Sequence, residues 1–141
     1  MKKSHILIVD DDTYTLGLYN MILEWTPYKA FIRTEENANK ALTILEQLQK
    51  NLSDGFPDYI LLDLRMPEMH GYDFIREFEK KFPQRKGKTH FIITTSSVLK
   101  EEEIEAACFD CIRDFLIKPI PRDYIERLIT EGYHSGLKQE T

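Results

Sequence analysis

Four short apolar runs in this sequence each end on polar residues with reactive side chains. In chain order these ends carry carboxylates, a further carboxylate, hydroxyls and an ammonium group: Asp10-Asp11-Asp12, Asp63, Thr94-Thr95 and Lys118. If the runs are neighbouring parallel strands, their ends converge on one edge of one sheet, where open α/β sheets bind ligands. The sequence therefore predicts one compact site built from carboxylates, hydroxyls and a lysine.

Carboxylates held close together repel one another, which raises their pKa values or requires a cation. Hard oxygen ligands with open coordination positions suit Mg²⁺, or Mn²⁺ in its place, and such an ion readily shares a phosphate. One carboxylate can then attack phosphorus while the metal neutralises the entering charge. The ammonium of Lys118 and the hydroxyl of Thr95 would bind phosphoryl oxygens. The set predicts the formation of an aspartyl phosphate.

The elements that would position these residues alternate between strand and helix. Apolar residues recur at helical spacing after the first strand: Leu16, Tyr19, Met21, Ile22 and Trp25. Asp12 or Thr13 is expected to cap that helix. Apolar and polar residues alternate over 28–34, which predicts a strand, and the fifth strand is predicted at about 114–117. Five such units predict an α/β, flavodoxin-like fold: a doubly wound five-stranded parallel sheet, order 2-1-3-4-5, with helices on both faces.

Length and composition limit the classes of function. The 141 residues suit one domain, which we place at 4–132, with a C-terminal tail at 133–141. The apolar runs are strand-sized, and the run after the N-terminus is too short for a secretion signal, so we expect a cytoplasmic protein with no membrane partner. The net charge of −5 argues against nucleic acid as a partner.

Two further motifs favour structural interpretations. Cys108 and Cys111 form a C-x-x-C pair at the end of a helical pattern, where we expect two small residues packing a helix end rather than redox or metal chemistry. The basic stretch at 80–88 is expected to be a solvated loop, with an acidic docking partner as the alternative. Asp12 is interpreted as a helix cap and Thr94 as a strand residue.

Taken in order, these motifs resemble the receiver domain of two-component response regulators. The resemblance covers about residues 4–130 and is carried by four segments: 6–12, 60–71, 95–97 and 115–119. It implies that Asp63 accepts a phosphoryl group. It further implies that Asp10, Asp11, Asp63 and the backbone carbonyl of Arg65 hold the metal, with Asp11 binding directly and Asp10 through water.

The resemblance also implies how the signal is received and read. Thr95 would be the switch hydroxyl, Phe115 the switch aromatic, and Lys118 the lysine before a proline whose peptide bond is often cis. The donor would be a phosphohistidine on a sensor histidine kinase or phosphotransfer protein. Phosphorylation would draw Thr95 inward, let Phe115 rotate, and change a face around the fourth and last helices. With no room after the last helix, the output would be a separate protein or a phosphorylation-dependent homodimer.

Some residues depart from the family pattern. Residues 111–114 replace the small pair usual before the fifth strand, and Arg65 and Ser97 flank the phosphate position. Two other functions stay open. A haloacid-dehalogenase-type phosphatase would use Asp10-Asp11-Asp12, but Tyr14 interrupts its D-x-D-x-T pattern and Asp63 would have no role. A receiver-like scaffold that is never phosphorylated would be expected to lack one of the acids, the Thr or the Lys.

Overall fold

The computed structural model describes residues 3–51 and 55–132. Its strands are β1 Ile6–Val9, β2 Ile32–Glu35, β3 Tyr59–Asp63, β4 His90–Thr95 and β5 Ile112–Ile117. Its helices are α1 Thr13–Leu23, α2 Ala38–Lys50, α3 Gly71–Lys81, α4 Lys100–Ala106 and α5 Arg122–Thr130. The strands pair in parallel in the order β2-β1-β3-β4-β5. The predicted fold class and strand order are confirmed.

Each strand sends alternate side chains to opposite faces, so the core forms two layers. In β1, Leu7 and Val9 join the cluster packed under α2 and α3, whereas Ile6 and Ile8 join the cluster under α1 and α5. All residues of β1 and β3 are buried because helices cover both faces. The near-continuous apolar runs seen in the sequence follow from this double burial.

Two predicted element boundaries were wrong. The segment predicted as a strand at 28–34 begins with a short 3-10 helix at Lys29–Phe31, closed by the Phe31 N–H donating to the Tyr28 carbonyl at 2.9 Å. Only Ile32–Glu35 pairs with β1. The fifth strand starts two residues earlier than predicted, at Ile112, and its register with β4 is irregular between Phe91 and Ile92.

The apolar residues of α1 divide into two stripes, which the helical spacing alone did not separate. Leu16, Tyr19 and Leu23 are buried. Met21 is 69% exposed and Trp25, beyond the helix end, is 79% exposed, although both share the helical spacing of the buried residues. An apolar residue at helical spacing can lie on a second face when a helix is apolar on more than one side.

Within residues 3–51 and 55–132, no helix is long and apolar enough to cross a membrane. The predicted tail at 133–141 lies outside the described residues, so the boundary at 132 stays a prediction.

The parallel register places the strand ends side by side: Val9 pairs with Leu62, Asp63 with Thr94, and Thr95 with Ile117. This edge of the sheet carries the predicted site.

Candidate functional site

Three carboxylates meet at the carboxyl edge of the sheet. Asp10, Asp11 and Asp63 each place one oxygen within 4.8 Å of the others. Asp10 is 0% exposed and Asp63 is 6% exposed. Adjacent parallel strands bring them together, because β1 and β3 are neighbours at the point where the strand order reverses. The structure thus brings together the acids that the sequence placed at separate strand ends.

Hydrogen bonds hold Asp10 and Lys118 in place. One Asp10 oxygen accepts from the Asp12 backbone N–H at 2.9 Å, and the other accepts from Lys118 Nζ at 2.9 Å. The same Nζ is 3.7 Å from Asp63 Oδ1. The Lys118 N–H donates to the Thr95 carbonyl at 2.7 Å, and the peptide bond from Lys118 to Pro119 is cis, as the resemblance implied.

Burial and like charge together set the electrostatics of this cluster. Burial, and then the charge of Asp10, raise the pKa of Asp63 to about 6, against the opposing effect of Lys118. Burial alone would lower the pKa of Lys118, but its hydrogen bond to Asp10 and the charge of Asp63 outweigh burial and raise it. Buried carboxylate oxygens that repel one another are the donor set that a hard divalent cation such as Mg²⁺ prefers. The residues present therefore fit the predicted metal.

The predicted switch residues, Thr95 and Phe115, lie beside the three carboxylates rather than among them. The Thr95 side chain is fully buried, and its hydroxyl donates to the Ser97 carbonyl at 2.7 Å, inside its own loop. Phe115 is half-buried and packs against the cluster under α2 and α3. Thr94 is a buried strand residue opposite Asp63, as predicted.

The cleft above the carboxylates has a volume of about 330 Å³. It is lined by the first part of α1 and by the carboxyl ends of β3, β4 and β5 with the loops that follow them: Asp12, Tyr14, Thr15, Leu18, Asp63, Arg65, Ser96, Lys118 and Pro119. Asp12 caps α1, as predicted, by accepting from the Tyr14 N–H at 3.0 Å and the Thr15 hydroxyl at 2.8 Å. Sequence reasoning missed Ser96, although its position directly after Thr95 was a usable signal.

A network that the sequence did not reveal connects this cleft to α4. Arg65 Nη2 donates to Glu102 Oε1 at 2.7 Å and to the Ser97 carbonyl at 3.0 Å. The Tyr72 hydroxyl donates to the Glu102 carbonyl, and His70 Nε2 lies 3.6 Å from Glu102 Oε2. In the sequence, Glu102 looked like one of three equivalent acids in the first turn of a helix. No local pattern marks which of them meets Arg65.

Gly71 is required where the chain turns from the site into α3. Its N–H donates to the Leu64 carbonyl at 2.7 Å. A Cβ at this position would lie 2.9 Å from Leu64 Cα and 3.0 Å from the Asp63 carbonyl oxygen. Backbone atoms cannot yield at those distances, so a side chain at 71 would displace the segment that follows Asp63.

A larger cleft, of about 670 Å³, lies at the amino edge of the sheet. It is lined by the C-x-x-C pair and by part of the basic stretch at 80–88. Cys111 packs against the core, and burial raises its pKa to about 12, so it is not a reactive thiolate. The packing interpretation is confirmed for Cys111 and wrong for Cys108, which is exposed. The prediction of a loop over 80–88 was wrong for part of that stretch, because Lys80 and Lys81 end α3 and Pro83–Arg85 form a 3-10 helix. Arg85, Lys86 and Gly87 line this cleft.

A parallel sheet in this order, with an acidic cluster and a lysine at its carboxyl edge, defines a receiver-type α/β domain. The chain belongs to the response regulator receiver domain family, which it matches over residues 6–130. It is 32% identical over 126 residues to an uncharacterized 14.6 kDa protein of Leptolyngbya boryana, covering 89% of this chain and 87% of that protein. It is 30% identical over 138 residues to hybrid signal transduction histidine kinase L of Dictyostelium discoideum.

Solved structures agree with this assignment. A two-component response regulator from Cytophaga hutchinsonii superposes with a TM-score of 0.76 at 24% identity, covering 91% of this chain and 95% of that one. A CheY-like receiver domain protein from Methanospirillum hungatei gives 0.66 at 27% identity, covering 90% and 91%. Some relatives are much longer than this chain. The alignment with the Dictyostelium kinase covers 95% of this chain but only 8% of the kinase. The alignment with a protein-glutamate methylesterase from Treponema denticola covers 29% of that protein.

Proposed function

We propose that this protein is a response regulator that accepts a phosphoryl group on Asp63 from a phosphohistidine donor. The observation that carries the proposal is the meeting of Asp63 with Asp10 and Asp11 within 4.8 Å, beside Lys118 Nζ at 3.7 Å. Asp10, Asp11, Asp63 and the Arg65 carbonyl would hold Mg²⁺, which supplies charge neutralisation during transfer. Each acid, the hydroxyl and the lysine are present, which disfavours a scaffold that is never phosphorylated.

The transfer follows from the positions of these groups. An oxygen of ionised Asp63 attacks phosphorus, an O–P bond forms, and the P–N bond to the donor imidazole breaks. The imidazole leaves with the electron pair and is protonated by solvent. Lys118, already 2.9 Å from Asp10, turns its ammonium toward the new phosphoryl oxygens. The domain thus catalyses its own phosphorylation and slow hydrolysis, and its product is a changed surface.

The same cleft continues onto an exposed apolar stripe that suits a protein donor. Tyr14, Leu18 and Met21 follow one another at spacings of four and three residues, so they share one side of α1, and Trp25 follows four residues later, just beyond the helix end. Tyr14 and Leu18 line the cleft that holds Asp63, and Tyr14, Met21 and Trp25 are exposed. A phosphohistidine presented by a kinase or phosphotransfer protein would reach Asp63 while its surface covers this stripe.

The stripe is tested by comparing a protein donor with a small one. We expect Trp25→Ala to slow transfer from a phosphohistidine domain while leaving labelling by acetyl phosphate unchanged. Ile104→Ala, an exposed apolar residue on α4, is the matched control and should leave both unchanged. Equal slowing with both donors would contradict a docking role for the stripe.

Phosphorylation then changes the surface through Thr95 and Phe115. Thr95 would leave the Ser97 carbonyl for a phosphoryl oxygen, and Phe115 would turn into the space beside it, altering the face formed by α4, β5 and α5. The altered face would act on a separate output protein, or pair with a second copy, in the cytoplasm. Nothing in this proposal requires nucleic acid or a membrane as partner.

The experiment that tests the acceptor is radiolabelling with phosphorylated kinase or acetyl phosphate in Mg²⁺. Wild type should become labelled, and Asp63→Asn should not. Asp110→Asn removes the same charge from an exposed position and should label as wild type does. Equal labelling of wild type and Asp63→Asn would refute the assignment, and multiple turnover of small phosphoesters would favour a phosphatase.

A further inference from the structure

The guanidinium of Arg65 pairs with Glu102 at the edge of the cleft that holds Asp63. Arg65 lies two residues after Asp63 and lines the same cleft. Its Nη2 is bound to Glu102 Oε1 at 2.7 Å, and the Glu102 side chain is only 16% exposed. Glu102 is in the first turn of α4, so this ion pair ties the residue beside the phosphoacceptor to the helix expected to move.

A second contact ties Arg65 to the switch loop. The Ser97 carbonyl accepts both from Arg65 Nη2 at 3.0 Å and from the Thr95 hydroxyl at 2.7 Å. Arg65 Nη1 also lies 3.4 Å from Ser97 Oγ. Thr95 and Arg65 therefore hold the same carbonyl, and a phosphoryl group on Asp63 would attract both donors away from it.

We infer that the Arg65–Glu102 pair is a latch that holds α4 and the loop before it in the unphosphorylated arrangement, and that it opens because the phosphoryl group competes with Glu102 for Arg65. The inference rests on the proposed function. It assigns Glu102 as a positioning residue that acts through Arg65 and never touches the phosphoryl group. The phosphoryl group on Asp63 carries about two negative charges, one more than the carboxylate it replaces, and three acceptor oxygens, and it matches the fork of a guanidinium as well as a carboxylate does.

The chain supplies its own control for this latch. Glu101 is an exposed acid in the same first turn of α4, so replacing it removes the same charge from the same helix end. Glu101→Ala and Glu102→Ala should therefore share any effect on helix stability through the helix dipole. Glu102→Gln, which keeps the side-chain volume and an acceptor oxygen, is a milder second variant should the alanine variant fold poorly.

The test measures the binding of beryllofluoride with Mg²⁺ to each protein by NMR titration. In wild type, binding of beryllofluoride must break the partly buried Arg65–Glu102 ion pair, and Glu102→Ala removes this cost. The apparent dissociation constant of Glu102→Ala should therefore be lower than that of wild type by about three- to tenfold. Glu102→Gln should fall between, and Glu101→Ala should equal wild type. Without ligand, Glu102→Ala should move amide signals of α4 part of the way to their bound positions, an effect that mere destabilisation would not produce.

The outcomes separate the two levels of the proposal. If wild type binds beryllofluoride but Glu102→Ala and Glu101→Ala bind equally well, the latch is refuted and the acceptor site stands. If Glu102→Ala binds more weakly than wild type, Glu102 supports the bound state and the latch is likewise refuted. If wild type does not bind beryllofluoride with Mg²⁺, the proposed function fails first.

Discussion

At the amino edge of the sheet Asp58 and Arg85 pair with neighbouring polar groups, whereas at the carboxyl edge three carboxylates lie close to the single ammonium of Lys118. Asp58, before β3, accepts from the His5 N–H at 2.9 Å and lies 3.8 Å from Arg85. Arg85 in turn binds the Thr89 hydroxyl and the Pro57 carbonyl, at 3.0 and 3.3 Å. Asp58 thus has a backbone donor and a cation, whereas Asp63 shares its cation, Lys118 at 3.7 Å, with Asp10 and lies beside two other acids.

This difference shows that the two edges contribute unequally to folding. At the amino edge, Asp58 and Arg85 replace their bonds to water with bonds to neighbouring groups, which compensates their burial. At the carboxyl edge, burial and the charge of Asp10 raise the pKa of Asp63 to about 6, so its ionised form is less stable than that of a solvated aspartate. The proposed metal ion would offset this electrostatic cost.

The largest expected contrast comes from removing one cation at each edge. Lys118→Ala should slow phosphorylation of Asp63 by about 100-fold, because a charge-assisted donor to the transferring group is lost. Arg85→Ala should leave that rate within about twofold but lower the free energy of unfolding by about 1–3 kcal/mol, through lost hydrogen bonds and packing over Phe56 at 4.4 Å. Labelling kinetics and urea unfolding measure the two effects. Equal loss of labelling in both variants would contradict the proposed difference between the two edges.

Removing one acid at each edge should change stability in opposite directions. The pKa of Asp63 is raised to about 6 in the folded protein, from the ordinary value of 3.8 that applies to the unfolded chain. Between about pH 4 and pH 6 the folded state therefore binds more protons than the unfolded state, so the free energy of unfolding falls as pH rises through this range. Asp63→Asn removes that loss and should raise the free energy of unfolding by about 1–2 kcal/mol near neutral pH without divalent cation, after allowance for solvent screening.

Asp58→Ala is the matching change at the amino edge. It leaves the His5 N–H without its acceptor and should lower the free energy of unfolding by about 1–2 kcal/mol. Both variants are to be unfolded in chelator, so that no metal binding contributes. Destabilisation by Asp63→Asn would show that the carboxylates are not in conflict.

A smaller effect concerns the pH dependence of metal binding. Because Mg²⁺ requires ionised Asp63, binding releases a proton below its pKa of about 6. Affinity for Mg²⁺ should therefore rise by about tenfold from pH 5 to pH 7 and change little above pH 7. Calorimetric titration at these pH values measures the rise. Asp63→Asn should show a flatter profile, and an unchanged affinity in wild type would contradict the raised pKa.

Much of this site could be predicted because strand order converts separate sequence positions into neighbours. Asp10, Asp63 and Lys118 lie at the carboxyl ends of β1, β3 and β5, and the doubly wound order leaves one edge at which they can meet. The cap formed by Asp12 was predictable for a similar reason, since its partners are two and three residues away. Local rules and topology were sufficient for these residues.

The remainder depends on side-chain geometry between elements. Glu101 and Glu102 are alike in sequence, and only the placement of α4 relative to the loop after β3 decides which of them meets Arg65. Met21 and Trp25 fit helical spacing, but their exposure depends on how α1 packs, which periodicity does not specify. The 3-10 helix at Lys29–Phe31 takes the place of part of a predicted strand, held by the Phe31 and Ile32 N–H groups donating to the Tyr28 and Lys29 carbonyls.

The most direct test of the central claim is to locate the phosphoryl group chemically. Protein phosphorylated in Mg²⁺ is reduced with borohydride, which converts an aspartyl phosphate to homoserine, and the site is read by peptide mass spectrometry. The account predicts homoserine at position 63, with positions 10, 11, 12 and 58 unchanged. Homoserine at any of those four positions, or at none in protein that carries label, would contradict it.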